Sequence, residues 1–317
     1  MAAAPLASWA DPEPAIKTAS ARDLLTIPVM LDGKGPFRFV VDTGADHSVI
    51  SDRVANEVGG EAGTGVMIEG VVRTLTASTM QIGVLDVGPV QRRHFEIPVL
   101  PFEDLQADGY LGLDVINGYR LSLDFVHNEL RLMEPLSRFI TGNVPNEVPI
   151  PLSGNGGHLR AFNCEIDGIR SVAFIDTGAE IAVGNRALYA ALTKRNSGYA
   201  MRETIPLTGV TGGTIDGQVT TLKLVKLGAL RLTDSRIAIA GLQIFRLWDL
   251  EERPALLIGM NWLRRFNRVA IDYGRKELRF DLATIRRQEP LNCAPDKPGC
   301  RYLIGSPKTI PRPSVAT

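Results

Sequence analysis

Phe39-Val40-Val41-Asp42-Thr43-Gly44-Ala45-Asp46 is an apolar run that ends in Asp-Thr-Gly-Ala and then an acid. The same pattern returns 134 residues later as Ala173-Phe174-Ile175-Asp176-Thr177-Gly178-Ala179-Glu180. β-Branched and aromatic residues predict a strand in each run, and Asp-Thr-Gly predicts a tight turn at its end. One such match carries little weight. Two, each followed by similar downstream sequence, point to a duplicated lobe that contributes one carboxylate each time.

The rest of the chain supports the duplication. Tyr110-Leu111-Gly112-Leu113-Asp114 is answered by Leu257-Ile258-Gly259-Met260-Asn261, an offset of 147, and Asp124 is answered by Asp272, an offset of 148. Order is kept, and the second lobe gains about a dozen residues, which closure entropy tolerates because it rises only logarithmically with length. The stretch Ser235 to Glu252, with Phe245 and Trp248, is the expected home for them. Residues 1–22 read as an N-terminal lead-in, 23–134 as the first lobe, 135–147 as a linker, 148–287 as the second lobe and 288–317 as a Pro-rich tail. Leu24 to Met30 and Phe37 to Val41 form the first predicted hairpin. Leu159 to Ile166 and Ile169 to Ile175, joined by Asp167-Gly168, form its counterpart, and Asp-Gly is a strong hairpin signal. Asp46 to Val58 is expected to carry a short helical turn, and Asn185 to Lys194 a helix.

A chain of 317 residues is long enough for two cores of ordinary size. Lys plus Arg equals Asp plus Glu at 35 each, a balance that argues against a nucleic-acid partner. No run of 18 apolar residues predicts a membrane span. With 31 Gly and 20 Pro between short apolar runs, the expected class is all-β. Cys164 reads as a small buried hydrophobe, whereas Cys293 and Cys300 flank a turn-rich loop that fits either a local disulfide or two free thiols. Met1 to Pro14 lacks the form of a signal peptide. A periplasmic or secreted location is expected if a leader has been removed and the cysteines pair, and a cytoplasmic one otherwise.

The doubled motif resembles the aspartic peptidases, and its second signatures, Leu111-Gly112-Leu113-Asp114 and Leu257-Ile258-Gly259-Met260-Asn261, are closest to the retropepsin-like branch. The chain is similar to bacterial single-chain retropepsin-like proteins, with two lobes fused as in pepsin. The resemblance covers roughly residues 23–287. It implies two pseudo-symmetric β-barrel lobes with a cleft between them, and an endopeptidase in which Asp42 and Asp176 activate a water. It implies that Thr43 and Thr177 cross-bond the two loops, and that Gly44, Ala45, Gly178 and Ala179 are small so that backbone can approach the carboxylates. Gly112 and Gly259 are expected beneath those loops, with Asp114 and Asn261 as polar anchors. Asp46 and Glu180 are expected to hold an arginine, with Arg120 and Arg268 as candidates, or backbone N–H groups. Gly70 in one lobe and Gly212-Gly213 in the other mark two flaps. The first has no tyrosine, a departure from the pepsin pattern. The expected partner is an extended polypeptide bound by a monomer, with no cofactor and no metal.

Each of these features has a plainer reading. Asp-Thr-Gly can be a self-capped turn, and Gly70 and Gly212-Gly213 can be ordinary hairpin turns. His47, His94, His127 and His158 show no ligand spacing and read as surface or core residues. Trp248 and Trp262 read as packing residues, with Trp248 a candidate pocket wall. Signatures of zinc peptidases, serine hydrolases and nucleotide-binding loops are missing from the sequence. The alternative function is a catalytically silent or latent peptide-binding protein of the same fold, its cleft filled by Met1 to Arg22 or by the tail after Arg287.

Overall fold

The computed structural model describes residues 15–21, 23–134, 147–154, 158–201, 203–288, 300–305 and 307–310. The expected linker therefore lies outside the described residues except for Glu147, and so does Cys293 with its pairing to Cys300. Two closed six-stranded barrels form the body. In the first, Leu24–Leu31 pairs with Lys34–Val41, and the order continues through Gly109–Leu111, Val49–Ser51, Val90–Leu100 and Thr79–Val87, which returns to Leu24–Leu31. In the second, Arg160–Ile166, Ile169–Ile175, Ala255–Ile258, Val183–Gly184, Leu230–Ile239 and Thr214–Leu227 follow in the same order and close in the same way. The all-β, two-lobe architecture is the retropepsin-like one.

The apolar alternation of these strands fills both barrels. Ile27, Val29, Leu31, Phe39 and Val41 are fully buried in the first, and Ala173, Val183, Ile237 and Leu256 in the second. Burial on this scale contributes about 25 cal/mol per Å² of apolar surface removed from water. Cys164 is 3% exposed and burial pushes its thiol up to about 12, so it behaves as the small hydrophobe expected.

A third sheet joins the lobes. Arg120–Asp124 of the first lobe pairs antiparallel with Arg268–Asp272 of the second, with Ser122 opposite Ala270. Glu129–Met133 and Ile16–Lys17 extend it on one side, Glu277–Asp281 and Glu147–Pro151 on the other. The lead-in thus ends in paired strand, since Ala19–Ala21 also pairs with Leu24–Leu31. The register sets Arg120 opposite Asp272 and Asp124 opposite Arg268, so Arg268 binds Asp124 at 2.7 Å rather than an acid of the cleft. Arg120 also lies in this sheet. Arg268, one candidate partner for Asp46 or Glu180, is therefore held by Asp124 in the inter-lobe sheet, where opposite charges meet by register.

Local differences from the sequence reading have local causes. The stretch expected to be helical from Asp46 begins as strand Val49–Ser51, because these residues fill the gap between Gly109–Leu111 and Val90–Leu100. The helix starts at Asp52, and its N-cap Ser51 accepts from the Val54 N–H at 3.2 Å. In the second lobe Asn185 caps Arg186–Arg195 and accepts from the Leu188 N–H at 2.8 Å. Part of the surplus length lies where expected, in the connection carrying helix Gln243–Leu247 between Ile239 and Ala255. Another part lengthens the helix after Asp176 to ten residues from seven.

Candidate active site

Each aspartate stands at the end of a strand held on one side by a parallel neighbour. Phe39, Val40 and Val41 pair with Gly109, Tyr110 and Leu111. Phe174 and Ile175 pair with Leu257 and Ile258. The Asp42 N–H donates to Leu111 O and the Asp176 N–H to Ile258 O, both at 3.0 Å. The two loops are thus the same device, delivered to the inter-lobe axis from opposite sides.

Four hydrogen bonds lock the loops to each other. The Thr43 hydroxyl donates to Ile175 O at 3.0 Å and accepts from the Thr177 N–H at 3.1 Å. The Thr177 hydroxyl donates to Val41 O at 2.6 Å and accepts from the Thr43 N–H at 3.2 Å. Both threonines are buried, so each bond is made where water cannot replace it.

The lock brings the two carboxylates to one place. Asp42 and Asp176 are fully buried. Asp42 Oδ1 accepts from the Gly44 and Ala45 N–H groups at 2.9 and 3.1 Å, and Asp176 Oδ1 accepts from the Gly178 N–H at 2.9 Å. A Cβ built on that same Gly178 would lie 2.3 Å from the Asp42 carboxyl carbon. Gly178 therefore touches both acids, and only hydrogen at its Cα leaves room for them. Buried Tyr273 lies near enough to feel both. Burial raises its phenol above the ordinary tyrosine range, and the charges of Asp42 and Asp176 raise it further. Its place at the end of the inter-lobe strand gave no sequence signal.

The second signatures support the loops from below. A Cβ on Gly112 would meet the His47 backbone at 2.6 Å, and one on Gly259 would meet the Ile181 carbonyl at 2.4 Å. Asp114 accepts from the Ser48 N–H and hydroxyl at 2.8 and 2.7 Å, and Asn261 accepts from the Ala182 N–H at 2.9 Å. These two side chains hold the chain just past each motif, in equivalent roles.

Matching of the family model for aspartyl protease covers residues 27–115 and 162–262, more than half the chain. The chain belongs to the aspartyl protease family. Comparison with curated proteins gives no match.

Each lobe sends one hairpin toward the other. Val66–Glu69 and Thr74–Ala77 form the first, and Glu203–Gly209 with the start of Thr214–Leu227 forms the second. Their tips meet. A Cβ on Gly70 would clash with Thr211 Oγ1, and Arg73 Nε donates to Thr211 O at 2.6 Å. Gly212 and Gly213 turn with φ of 79° and 83°, the left-handed region that favours glycine, beside Arg73 and Val72. Val71 is fully buried within the second lobe's core, and the Gln243 N–H holds its carbonyl at 2.7 Å.

The acids after each motif differ. Asp46 contacts His158 and lies 3.6 Å from Lys308 Nζ. Burial works to raise its pKa, but His158, Lys308 and His47 together hold it below the ordinary range. Trp248 packs edge-on against Phe174 at 4.1 Å and also walls this corner, 5.5 Å from the His158 ring and 5.2 Å from Lys308 Nζ. Glu180 instead takes a backbone group, the Leu303 N–H, at 2.6 Å. His158 escaped sequence reasoning because its partner lies 112 residues away. Among the described residues no group of three or more His, Cys, Asp or Glu side chains is arranged to hold a metal ion. No helix among them is long and apolar enough to cross a membrane.

Proposed function

We propose that the chain is an aspartic endopeptidase in which Asp42 and Asp176 act as one catalytic pair. The observation that carries the reading is Gly178, which donates to one carboxylate while its Cα faces the other. Two carboxylates so close share a proton, because both cannot ionise without strong repulsion. One is then a general base and the other a general acid at the same pH.

The chemistry follows from that sharing. The ionised carboxylate takes a proton from water as its oxygen attacks the peptide carbonyl carbon, and the protonated one gives its proton to the carbonyl oxygen. Collapse of the tetrahedral gem-diol breaks the C–N bond. A proton passes to the leaving nitrogen, so one water is consumed and a carboxylate and an amine are released. The chain's part is to hold the pair, through Thr43 and Thr177, and to shelter an extended polypeptide beneath the hairpins carrying Gly70, Gly212 and Gly213. The two lobes make one cleft within a monomer, and neither is an enzyme alone.

Asp42→Asn and Asp176→Asn test the reading, with hydrolysis of an unfolded protein substrate followed between about pH 3 and 8. Each variant is expected to lose at least about a thousandfold in kcat/KM while its melting temperature stays near that of the parent, and the double variant should lose little more, as groups acting as a unit do. Full activity in either single variant excludes the mechanism. Turnover by no form of the chain, together with retained peptide binding, favours the silent peptide-binding alternative.

A further inference from the structure

The Pro-rich tail enters the cleft. Tyr302–Ile304 adds a parallel strand to the second hairpin, with Tyr302, Leu303 and Ile304 opposite Leu207, Thr208 and Gly209. Lys308–Ile310 adds an antiparallel strand to the first, with Lys308, Thr309 and Ile310 opposite Glu69, Ile68 and Met67. The opposite senses are what a two-fold scaffold requires. Its two hairpins are equivalent, but a peptide has one direction, so it runs with one strand and against its counterpart.

Between these strands the tail crosses the aspartates. The Gly305 N–H donates to Gly178 O at 2.9 Å, and a Cβ on Gly305 would lie 2.3 Å from Asp42 Oδ2. The grip is symmetric about Gly305. On its amino side, the Glu180 N–H donates to Leu303 O at 2.9 Å, and the Leu303 N–H donates to Glu180 Oε2. On its carboxyl side, the Asp46 N–H donates to Pro307 O at 3.3 Å. Asp46 and Glu180 occupy the same position in the two motifs, and each holds the tail two residues from Gly305.

We propose that residues 302–305 and 307–310 are the resident ligand of the catalytic groove, bound as an extended peptide across Asp42, and that they display the side chains the groove selects. Leu303 and Ile304, 1% and 0% exposed, mark sites for aliphatic residues on the amino side. Lys308, facing Asp46 beside the Trp248 ring, marks a site for a basic residue three positions beyond Gly305. A substrate must displace the tail, which makes the chain that carries it a self-blocked form. The meaning of the groove rests on the peptidase reading; the seat of the tail does not.

A tethered segment competes at an effective concentration of about 1 mM, so a peptide of the same sequence that binds the open groove with a Kd of about 10 μM binds roughly a hundredfold more weakly while the tail is seated. The test uses the full chain and its Gly305→Leu variant, in which the new side chain would clash with Asp42 and release the tail. The probe is a labelled synthetic peptide, Arg-Tyr-Leu-Ile-Gly-Ser-Pro-Lys-Thr-Ile, read by fluorescence anisotropy. Folded Gly305→Leu is expected to bind it about a hundredfold more tightly than the parent. Changing the peptide's lysine to glutamate should cost at least about tenfold. Equal binding to both proteins, or none to the folded variant, overturns the proposal. Amide hydrogen exchange on the unaltered chain needs no variant: Leu303 and Gly305 should be as protected as the barrel strands, and exchange at the rate of an unstructured peptide overturns the proposal.

Hydrolysis separates the two readings. Binding as expected with no cleavage by either protein removes the peptidase reading and leaves the tail in place. Equal cleavage by both proteins, with equal peptide binding, removes the tail and leaves the peptidase.

Discussion

The two lobes agree at the axis and differ at the rim. At the axis each Asp N–H donates to the carbonyl before the second glycine at the same 3.0 Å, and each Thr hydroxyl donates to the strand of the other lobe. At the rim, the first lobe's hairpin stands in a small sheet of its own, while the second lobe's hairpin is the end of its long barrel strand Thr214–Leu227. The acid after each motif also serves different partners, a side-chain cluster for Asp46 and a backbone N–H for Glu180. Two loops that must pack on each other keep one sequence. Surfaces that would receive a directional peptide have no reason to stay alike.

Gly178 gives the sharpest way to break the symmetric part. Gly178→Ala puts a methyl group 2.3 Å from the Asp42 carboxyl carbon, and the loops must separate to admit it. Misplacement of reacting groups by about 1 Å costs on the order of a hundredfold in rate, so kcat should fall by at least about that much with KM little changed. Retention of full kcat would show that the carboxylates tolerate a wider spacing than the loop geometry implies.

The rim comparison is next in size. Glu180→Ala removes a charged acceptor from a peptide N–H, a bond worth about 1.5–3 kcal/mol, and should raise KM about tenfold or more for every peptide. Asp46→Ala should weaken only peptides with a basic residue at the site of Lys308, and by less, because Asp46 and Lys308 are partly exposed. Kinetics on paired lysine and leucine peptides read both effects. Equal losses on both peptides in both variants would mean that the lobes share one recognition mode.

The sequence carried the axis because the axis is local. Gly178, Gly112 and Gly259 occupy positions where a Cβ would clash, the motif threonines bond across the axis, and the repeat doubled the signal. The hairpin strands beside Asp167-Gly168 were legible for a similar reason, since the turn fixes the register. What stayed hidden was set by distant partners. His158 meets Asp46, Val71 enters the second lobe's core, and the tail pairs with both hairpins. Tyr302-Leu303-Ile304 reads as a short apolar run in a polar tail, and nothing in that run names Glu203–Gly209 as its neighbour.

The threonine lock should respond equally from either lobe. Thr43→Val and Thr177→Val each delete one donor and one acceptor and leave buried backbone groups unpaired, at about 1–3 kcal/mol each. Denaturant unfolding should give similar losses for the two single variants and a double variant that falls short of their sum, as coupled groups do. A loss from only one of them would show that one lobe holds the other, rather than both sharing the lock.

The smallest expected effect lies in the sheet that joins the lobes, where Asp124 and Asp272 are equivalent by register. Asp124 accepts from the Val126 and His127 N–H groups at 3.0 and 2.9 Å and from Arg268 at 2.7 Å. Burial opposes its ionisation, but His127 and Arg268 outweigh it and bring its pKa down to about 2 from 3.8. A carboxyl with a lowered folded-state pKa contributes stability above its unfolded value, and that contribution is lost as pH falls through the folded value. Unfolding free energy should therefore drop between about pH 4 and pH 2, with Asp124 contributing on the order of 1 kcal/mol after allowance for solvent screening. Asp124→Asn should be less stable than the parent at neutral pH and flatter across that acid window. Parallel pH profiles for parent and variant would remove Asp124 from the acid response.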